Sequence, residues 1–434
     1  MIAVCELQCK GLSHEKVNSG FLYALRITFP NEKILFFAEQ SHISSIRSIL
    51  INDKIEIQNL EFAEINFPDK TSYYSICSTY FLLKRILNKL KAQGVDKLFL
   101  LSFNPIILHY LKSFTKKDKF YNFKFTLVLH GGFENIASKS DFKLLDLYER
   151  YPMAVSELRK KDRYFVSPKR AIKYLFYKTR LIKSSFIEWI YQIQESKIDS
   201  LFNYKNVLLE APTFNFKYLS LSPHIINNAR KYIDIDLINI YSVVLPTVFS
   251  ELSQKTPNKY VKFAVFGYGR PKVLREIMFE LEKKEIKYDY EIKIIGMDNF
   301  GLSKFSNISC PNPGRRLSRK EMEYYALDVD MFLILYDKSQ YRLSCSGSIL
   351  EAISYRKPIL NFENDCINYF NNLENPIGIT SATIREYADN LEYIINNYKN
   401  FIPQLDLYKK NIDVLRSKYK IENFSEEIKK SFTW

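Results

Sequence analysis

Residues 331–362 read MFLILYDKSQYRLSCSGSILEAISYRKPILNF, and this stretch holds the most informative pattern in the chain. An apolar run at 331–335 leads into a polar loop that ends in Ser-Gly-Ser, then a helical pattern, then a second apolar run at 358–362. The apolar residues Ile349, Leu350 and Ile353 recur at helical spacing. A strand, a loop, a helix and another strand in this order make the repeating unit of a parallel α/β sheet.

The same alternation fills the N-terminal half. We predict helices at 20–29, 75–93 and 105–113, and strands at 2–7, 33–38, 55–60, 97–102 and 125–130, with further strands at 217–220 and 242–245. A long helical insertion interrupts the pattern at about 150–205. Short strands separated by helices indicate a doubly wound, Rossmann-like domain over 1–250.

The polar, proline-containing segment 250–258, SELSQKTPN, has the composition of a linker. After it the alternation restarts, which predicts a second Rossmann-like domain over 259–400 and a helical tail over 401–434. The predicted strands are 261–266, 290–295, 331–335 and 358–362, and the predicted helices are 273–284, 318–326, 347–355, 384–401 and 407–432. Two open α/β sheets bind ligands outside the carboxyl ends of their strands, so the fold class α/β with two facing domains predicts a cleft.

Composition narrows the class of protein further. The 434 residues carry a formal net charge of +15 and are 47% hydrophobic, which is typical of a globular protein with an anionic partner. The six cysteines show no metal-ligand spacing, and no apolar run is long enough to span a membrane. The N-terminus lacks the pattern of a signal peptide, so we expect a cytoplasmic protein.

The loop and helix at 336–360 suit a phosphate and a ribose. Backbone N–H groups at the helix start Ser346–Gly347–Ser348 can bind a diphosphate, and Arg342 lies just upstream. Glu351, about one turn into the helix, can accept hydrogen bonds from two ribose hydroxyls. The alternative is purely structural: Ser346 caps the helix, and Glu351 interacts with its dipole.

These residues resemble the donor-binding half of GT-B glycosyltransferases, particularly the family 4 type and the bacterial capsule and lipopolysaccharide enzymes. The resemblance implies that Glu351 holds the ribose of a nucleotide-sugar and that the helix start binds its diphosphate. Upstream, FAVFGYGRPK at 263–272 is similar to the strand and basic turn that open this domain, and IKIIG at 292–296 is similar to its next strand. The implied donor-binding residues in the basic turn are Gly267, Arg270 and Lys272.

The sequence departs from the family pattern at one position. The family often has a second glutamate eight residues before the ribose-binding one, and that position here is Leu343. The retaining stereochemistry that the family name implies is therefore left open. Residues 341–347 instead look like the Tyr-x-x-x-x-Ser-Gly variant of capsule and lipopolysaccharide enzymes.

In the N-terminal half, the predicted strand 125–130 ends in His130-Gly-Gly-Phe-Glu134. A histidine at a strand end beside two glycines lies where a cleft is expected, and its pKa suits proton transfer. His130 and Glu134 are thus the candidate catalytic residues, in agreement with the His-Gly-x-x-Glu of some family members. The alternative for His130 is a histidine that hydrogen-bonds its own turn.

The loop at 11–20 follows the first strand and is expected to face the same cleft. His14, Glu15 and Asn18 are therefore candidate acceptor-side residues. The alternative for Asn18, or for Ser19, is a simple helix N-cap.

Segment 159–190 is basic and aromatic. Residues 159–183 hold ten Lys or Arg and one Asp, and apolar residues recur at helical spacing from 172 to 190. Such a helix suits an anionic membrane surface, which predicts a peripheral protein meeting a lipid-linked acceptor. The alternative is a helix that packs its apolar face on the N-terminal domain.

Together these observations predict a hexosyltransferase-like enzyme of EC 2.4. It would transfer sugar from a UDP- or GDP-sugar to a glycan or lipid-linked acceptor, in bacterial surface polysaccharide synthesis. No cofactor or metal is expected, because Asp328-Val-Asp330 leads directly into an apolar strand. The alternatives are a CMP-sugar-dependent GT-B transferase and a basic nucleic-acid-binding protein, although no nucleic-acid motif is found and no nucleic-acid partner is expected.

Overall fold

A computed structural model describes residues 1–55, 58–67, 73–116, 118–129, 131–136, 204–249, 258–266, 269–295, 301–311 and 317–434. The basic segment 159–190 lies outside the described residues, as do nearly all of the insertion at 150–205 and of the linker at 250–258. The predicted site residues His130 and Gly267 lie outside them as well.

The N-terminal half forms a parallel sheet. In the described part of the chain its strands are β1 (Ile2–Cys5), β2 (Ile34–Ala38), β3 (Leu60–Glu64), β4 (Lys97–Leu100), β5 (Lys124–Leu129), β6 (Phe216–Ser220) and β7 (Ile240–Ser242). Their order is β3-β2-β1-β4-β5-β6-β7, and each neighbouring pair is parallel. The central strands are largely apolar and buried because helices cover both faces of such a sheet.

The described helices of this domain are α1 (Glu15–Thr28), α2 (Gln40–Asn52), α3 (Tyr73–Ala92), α4 (Pro105–Thr115), α5 (Tyr204–Leu209) and α6 (Pro223–Ala229). Local sequence explains where helix α4 begins. Before α4, the Asn104 side chain accepts a hydrogen bond from the N–H of Ile107, and Pro105 occupies the first helical position.

The C-terminal half forms a second parallel sheet. Its described strands are β8 (Val261–Phe266), β9 (Tyr290–Ile295), β10 (Ile308–Ser309), β11 (Met331–Ile334), β12 (Ile359–Phe362) and β13 (Gly378–Ser381), in the order β10-β9-β8-β11-β12-β13. The described helices are α7 (Pro271–Leu281), α8 (Arg319–Asp328), α9 (Gly347–Ser354), α10 (Asp365–Asn368), α11 (Ile384–Asn396), α12 (Tyr398–Lys418) and α13 (Ser425–Phe432). The predicted fold class is confirmed: two Rossmann-like domains follow one another.

The end of the chain returns to the N-terminal domain. Helix α13 packs against α1 and the β6–β7 edge of the first sheet. The buried Lys217 Nζ donates to the carbonyl oxygens of Lys430, at 2.9 Å, and Thr433, at 2.5 Å, and the Thr126 hydroxyl donates to the Ser431 carbonyl at 2.8 Å. The last carbonyls of a helix have no partner within it, so these side chains from β5 and β6 fix where α13 docks.

Several predicted elements were misplaced. The strand expected at 55–60 is β3 at 60–64, because the Ile55 N–H instead bonds the Leu50 carbonyl at the end of α2. The strand expected at 242–245 is β7 at 240–242, because its partner β6 ends at Ser220, opposite Ser242. The helix expected at 407–432 is divided between α12 and α13, and the Asn423 amide caps the last carbonyls of α12.

Strands β10 and β13 and helix α2 were not predicted from the sequence. Among the described residues, no helix is long and apolar enough to cross a membrane.

Candidate active site

The start of helix α9 forms one wall of the candidate site. Ser346 is fully buried; its Oγ accepts the Ser348 N–H at 3.2 Å, and its own N–H points to the Cys366 Sγ at 3.3 Å. The Ser348 hydroxyl accepts from the Tyr336 phenol at 2.9 Å. Ser346 is therefore an N-cap, which is one of the two interpretations given above. The side chains of Ser346 and Ser348 both hydrogen-bond within the protein at the helix start.

Gly347 lies between these two serines and is exposed. A Cβ added at Gly347 would meet no described atom within 4 Å. The first-turn N–H groups of a helix are not used by the helix itself and lie at the positive end of its dipole. The helix start is thus open to a ligand at the one position where the backbone carries no side chain.

Glu351 lies one turn further along α9 and forms an ion pair with Lys16, in the first turn of α1. The two side chains are 16% and 30% exposed, and Lys16 Nζ also lies 5.7 Å from the centre of the Tyr355 ring. Sequence analysis did not single out Lys16, although it named its neighbours His14, Glu15 and Asn18. No local signal marks it, because its partner belongs to the other domain.

The basic residues Arg270 and Lys272 lie at the start of α7. Arg270 forms an ion pair with Asp337, in the loop after β11, and its Nη1 lies 3.5 Å from the Gln340 Oε1. Burial alone would raise the pKa of Asp337, but hydrogen bonds from Ser339 and the charge of Arg270 outweigh it and hold that pKa below its ordinary value. Lys272 is the second residue of α7 and is exposed.

The loop that precedes α9 contacts the N-terminal domain. The Glu134 carboxylate accepts the Ser344 hydroxyl, and His224 and Asn228 of α6 bond carbonyl oxygens of the same loop. Arg342 lies between these contacts and is partly buried. Leu343, at the position where the family often has glutamate, is 1% exposed. The structure therefore brings the predicted Glu134 and Arg342 into one region, and it adds His224 and Asn228, which sequence analysis missed.

A buried network organises the loop after β1. The Glu6 carboxylate accepts the N–H groups of Gln8 and Cys9 at 2.7 and 2.9 Å, and the Asn18 amide at 3.0 Å. The second Asn18 amide hydrogen points to the His42 Nε2 at 2.9 Å, and the His42 Nδ1 lies 2.8 Å from the Gly11 carbonyl. Glu6 and His42, which the sequence did not single out, thus hold the loop in place.

The N-cap interpretation of Asn18 and Ser19 is wrong. Helix α1 begins at Glu15, five residues before the predicted start, so both residues are buried inside the helix. His14 is the residue before α1; it is exposed and has a left-handed φ of 51°. Of the three candidate acceptor-side residues, Asn18 is engaged in the Glu6 network, whereas His14 and Glu15 lie nearer the surface.

Asp328 and Asp330 have structural partners at the opposite edge of the sheet. Asp330 accepts the Lys262 N–H at 2.9 Å, and Asp328 pairs with Lys262 and Lys293. These residues lie at the amino end of β11, whereas α9 follows its carboxyl end. Across the part of the chain that the structure describes, no group of three or more His, Cys, Asp or Glu side chains could hold a metal ion.

No protein-family model and no curated protein matches this sequence. In fold, the chain is similar over 99% of its length to Anabaena HepE solved in complex with UDP, with 9% identity, 98% coverage of that chain and a TM-score of 0.56. The lipopolysaccharide outer core galactosyltransferase WaaB is 13% identical to this chain, with a TM-score of 0.53. The match covers 99% of this chain and 98% of the WaaB chain. WaaG, a glycosyltransferase involved in lipopolysaccharide biosynthesis, is 11% identical over 100% of both chains, with a TM-score of 0.52.

At these identities the likeness establishes the fold. The chain has the two-domain fold of these solved structures, with one Rossmann-like domain following the other.

Proposed function

We propose that this protein is a glycosyltransferase that uses a nucleoside-diphosphate sugar. The observation that carries the proposal is the arrangement of α9. The helix starts at the open Gly347, and the Glu351 carboxylate follows one turn later. Both lie on the side of the second Rossmann-like domain that faces the first domain. The helix start suits a diphosphate, and the carboxylate suits the hydroxyls of its ribose. The structures of HepE with UDP and with UDP-glucose, which share the fold, support a donor of this class.

Positive charge near the helix start would stabilise the leaving diphosphate. Arg342 lies four residues before Ser346, and Arg270 reaches the loop after β11 through Asp337. As the bond to the anomeric carbon breaks, negative charge grows on the diphosphate, and preorganised N–H groups and cations lower the barrier to that step. We therefore propose that Arg270, Lys272, Arg342 and the first turn of α9 stabilise the negative charge of the leaving diphosphate. We also propose that no metal is needed.

Glu351 would accept the ribose hydroxyls while it stays paired with Lys16. A carboxylate has more acceptor positions than one ammonium group occupies, so Glu351 can bind Lys16 and the ribose together. Lys16 thus brings a cation of the N-terminal domain to the donor site.

The acceptor would enter from the N-terminal domain. If the reaction inverts configuration, a base must take the proton of the acceptor hydroxyl, and His130 and Glu134 are the candidates. If it retains configuration, neither needs that role. Leu343 leaves no carboxylate at the family's second glutamate position. We propose a glycan or lipid-linked acceptor in bacterial surface polysaccharide synthesis, the latter met at an anionic membrane surface through the basic segment 159–190.

The direct test is nucleotide release from a panel of UDP-, GDP- and CMP-sugars, with water as the default acceptor and glycans added in turn. We expect release from a UDP- or GDP-sugar that rises with a suitable glycan and is lost in Glu351→Ala. Release from CMP-sugars alone would replace the proposal with a CMP-sugar transferase. No release, together with tight and salt-sensitive binding of RNA or DNA, would overturn it.

A further inference from the structure

We infer that the N-terminal domain builds part of the donor site: His224 and Asn228 of α6 are positioning residues that hold residues 341–344 in shape. This inference rests on the proposed function, because residues 341–344 carry Arg342 and lead directly into the helix start at Ser346. Neither side chain is assigned a role in the chemistry itself.

The His224 side chain hydrogen-bonds two carbonyl oxygens of the other domain. Its Nε2 lies 3.0 Å from the Tyr341 oxygen and 3.1 Å from the Ser344 oxygen, and its Nδ1 lies 2.7 Å from the Ser222 Oγ. Carbonyl oxygens only accept, so Nε2 carries the proton, and Nδ1 accepts from the Ser222 hydroxyl. Burial lowers the pKa of His224 below its ordinary value, which favours this neutral form.

Asn228 lies one helical turn beyond His224 on α6. It bonds a carbonyl oxygen that lies between those of Tyr341 and Ser344 in the chain. Its Nδ2 donates to the Arg342 oxygen at 3.0 Å and to the Asp365 Oδ2, in the first turn of α10, at 2.8 Å. Like His224, it is nearly fully buried. Residues i and i+4 of a helix share a face, so the spacing of 224 and 228 places both donors against the same loop.

The loop needs this support from outside its own domain. In its first part, the Asn364 amide bonds the carbonyl oxygens of Asp337 and Gln340, at 2.7 and 2.8 Å, within the C-terminal domain. In its second part, the carbonyl oxygens of Tyr341, Arg342 and Ser344 bond α6. Tyr341 has a φ of 54°, a left-handed conformation that a bulky side chain rarely adopts. A buried backbone oxygen that loses its donor is costly, so loss of the α6 donors would release the loop from this conformation.

The two domains are therefore coupled through a defined set of bonds. Removal of the α6 donors should weaken donor binding although neither residue belongs to the donor-binding domain. It should also increase amide exchange in the loop when no ligand is present, a readout that is independent of any enzymatic activity.

The test compares four variants with the wild-type protein. His224→Leu removes the shared donor, whereas His224→Gln retains an amide N–H near the Nε2 position. Asn228→Asp keeps the size of the side chain but places an oxygen against the Arg342 carbonyl and the Asp365 carboxylate. The double variant Asn228→Asp/Asp365→Asn restores one of those two hydrogen bonds. The control is Asn411→Asp, because Asn411 also donates its amide to a carbonyl, that of Pro376 at 2.7 Å, but within the C-terminal domain.

Two measurements are made on each protein: hydrogen exchange of peptides covering 337–347 without ligand, and the dissociation constant of the nucleoside diphosphate that binds the wild-type protein. For His224→Leu and Asn228→Asp we expect exchange at least tenfold faster in 341–346 and a dissociation constant at least tenfold higher. His224→Gln and the double variant should recover part of both effects, and the Asn411→Asp control should match the wild-type protein in both.

Unchanged exchange and unchanged nucleotide affinity in His224→Leu and Asn228→Asp would overturn the inference. Faster exchange that extends equally over both sheets would also overturn it, because the residues would then be general stability contacts. If the wild-type protein binds no nucleotide, the proposed function fails. The exchange measurement still decides whether α6 holds the loop.

Discussion

Lys16 and Glu351 form an ion pair although 335 positions separate them in the chain. Lys16 belongs to the first helix of the N-terminal domain, and Glu351 to the helix that we propose binds the donor. The ribose-binding carboxylate of the proposed site is thus already oriented by a cation from the opposite domain.

For this pair we predict that Glu351→Gln and Lys16→Met are not additive in their effect on stability. Each single change leaves a partly buried charge without its partner, which costs about 1–3 kcal/mol. The double variant leaves none, so it should be more stable than the sum of the single changes by about 0.5–3 kcal/mol. Urea denaturation of the four proteins measures this coupling. Simple additivity would show that the ion pair does not operate in solution.

Gly347 offers a test that separates binding from folding. In Gly347→Val the new Cβ would meet no described atom within 4 Å, so the free energy of unfolding should change by less than about 0.5 kcal/mol. The same side chain would stand where the diphosphate approaches the helix start, and nucleotide affinity should fall at least tenfold, with a smaller loss in Gly347→Ala. Calorimetric titration measures both variants. Wild-type affinity in Gly347→Val would place the diphosphate elsewhere.

Docking of the C-terminal helix depends on Lys217. Its Nζ bonds two carbonyl oxygens at the end of α13 and lies 4.8 Å from the centre of the Trp434 ring. Lys217→Met should lower the free energy of unfolding by about 1–3 kcal/mol, since it leaves two partly buried carbonyl oxygens at the helix end without this donor. Limited proteolysis should then remove residues near the C-terminus faster than in the wild-type protein. Lys409, whose side chain is 37% exposed, pairs with Asp406 three residues away, so Lys409→Met is the matched control, with an expected change under about 0.5 kcal/mol.

Lys112 should make stability depend on pH in the alkaline range. Its side chain is buried and donates to the Leu208 carbonyl at 2.8 Å and to the Glu210 carbonyl, and burial lowers its pKa from 10.5 to about 8. Between these two values the unfolded chain holds more protons at this position than the folded one, so stability rises with pH. Below about pH 8 both states are protonated and this gain is absent.

The difference between the wild-type protein and Lys112→Met isolates this group from the other titrating residues. Measured by denaturation at pH 7.5 and 9.5, the stability of the wild-type protein relative to the variant should increase by about 1–2 kcal/mol. A difference that is the same at both values would contradict a lowered pKa of Lys112.

The fold was predictable because its signals are local. Strands such as 261–266 and 290–295 match the structure at both ends, since buried strands of parallel sheets are rich in apolar residues. The strand at 55–60 was misplaced because the alternation at Ile55 and Ile57 resembles a strand, whereas the residues that pair with β2 are 60–64. Short edge strands such as β10 carry too few residues to form a pattern.

The candidate site was predictable in part, for the same reason. Gly347 and Glu351 share one helix and Ser346 caps it, so their placement relative to one another could be predicted from their spacing. Lys16, His224 and Asn228 act on that helix and its loop from the other domain, and a contact across the cleft leaves no periodicity in the sequence. The N-cap alternative for Asn18 was wrong, and the buried partners of Asn18 could not be predicted because Glu6 lies after β1 and His42 lies on α2.

The central claim is that α9 binds a nucleoside diphosphate, and thermal stabilisation of the purified protein by UDP, GDP, ADP and CMP tests it most directly. A nucleotide at a hundred times its dissociation constant adds about 2.7 kcal/mol of stability. We predict a rise in melting temperature with UDP or GDP in the wild-type protein and in Asn411→Asp, and none in Glu351→Ala or Gly347→Val. No rise with any of the four nucleotides, or an equal rise in Gly347→Val, would contradict the account.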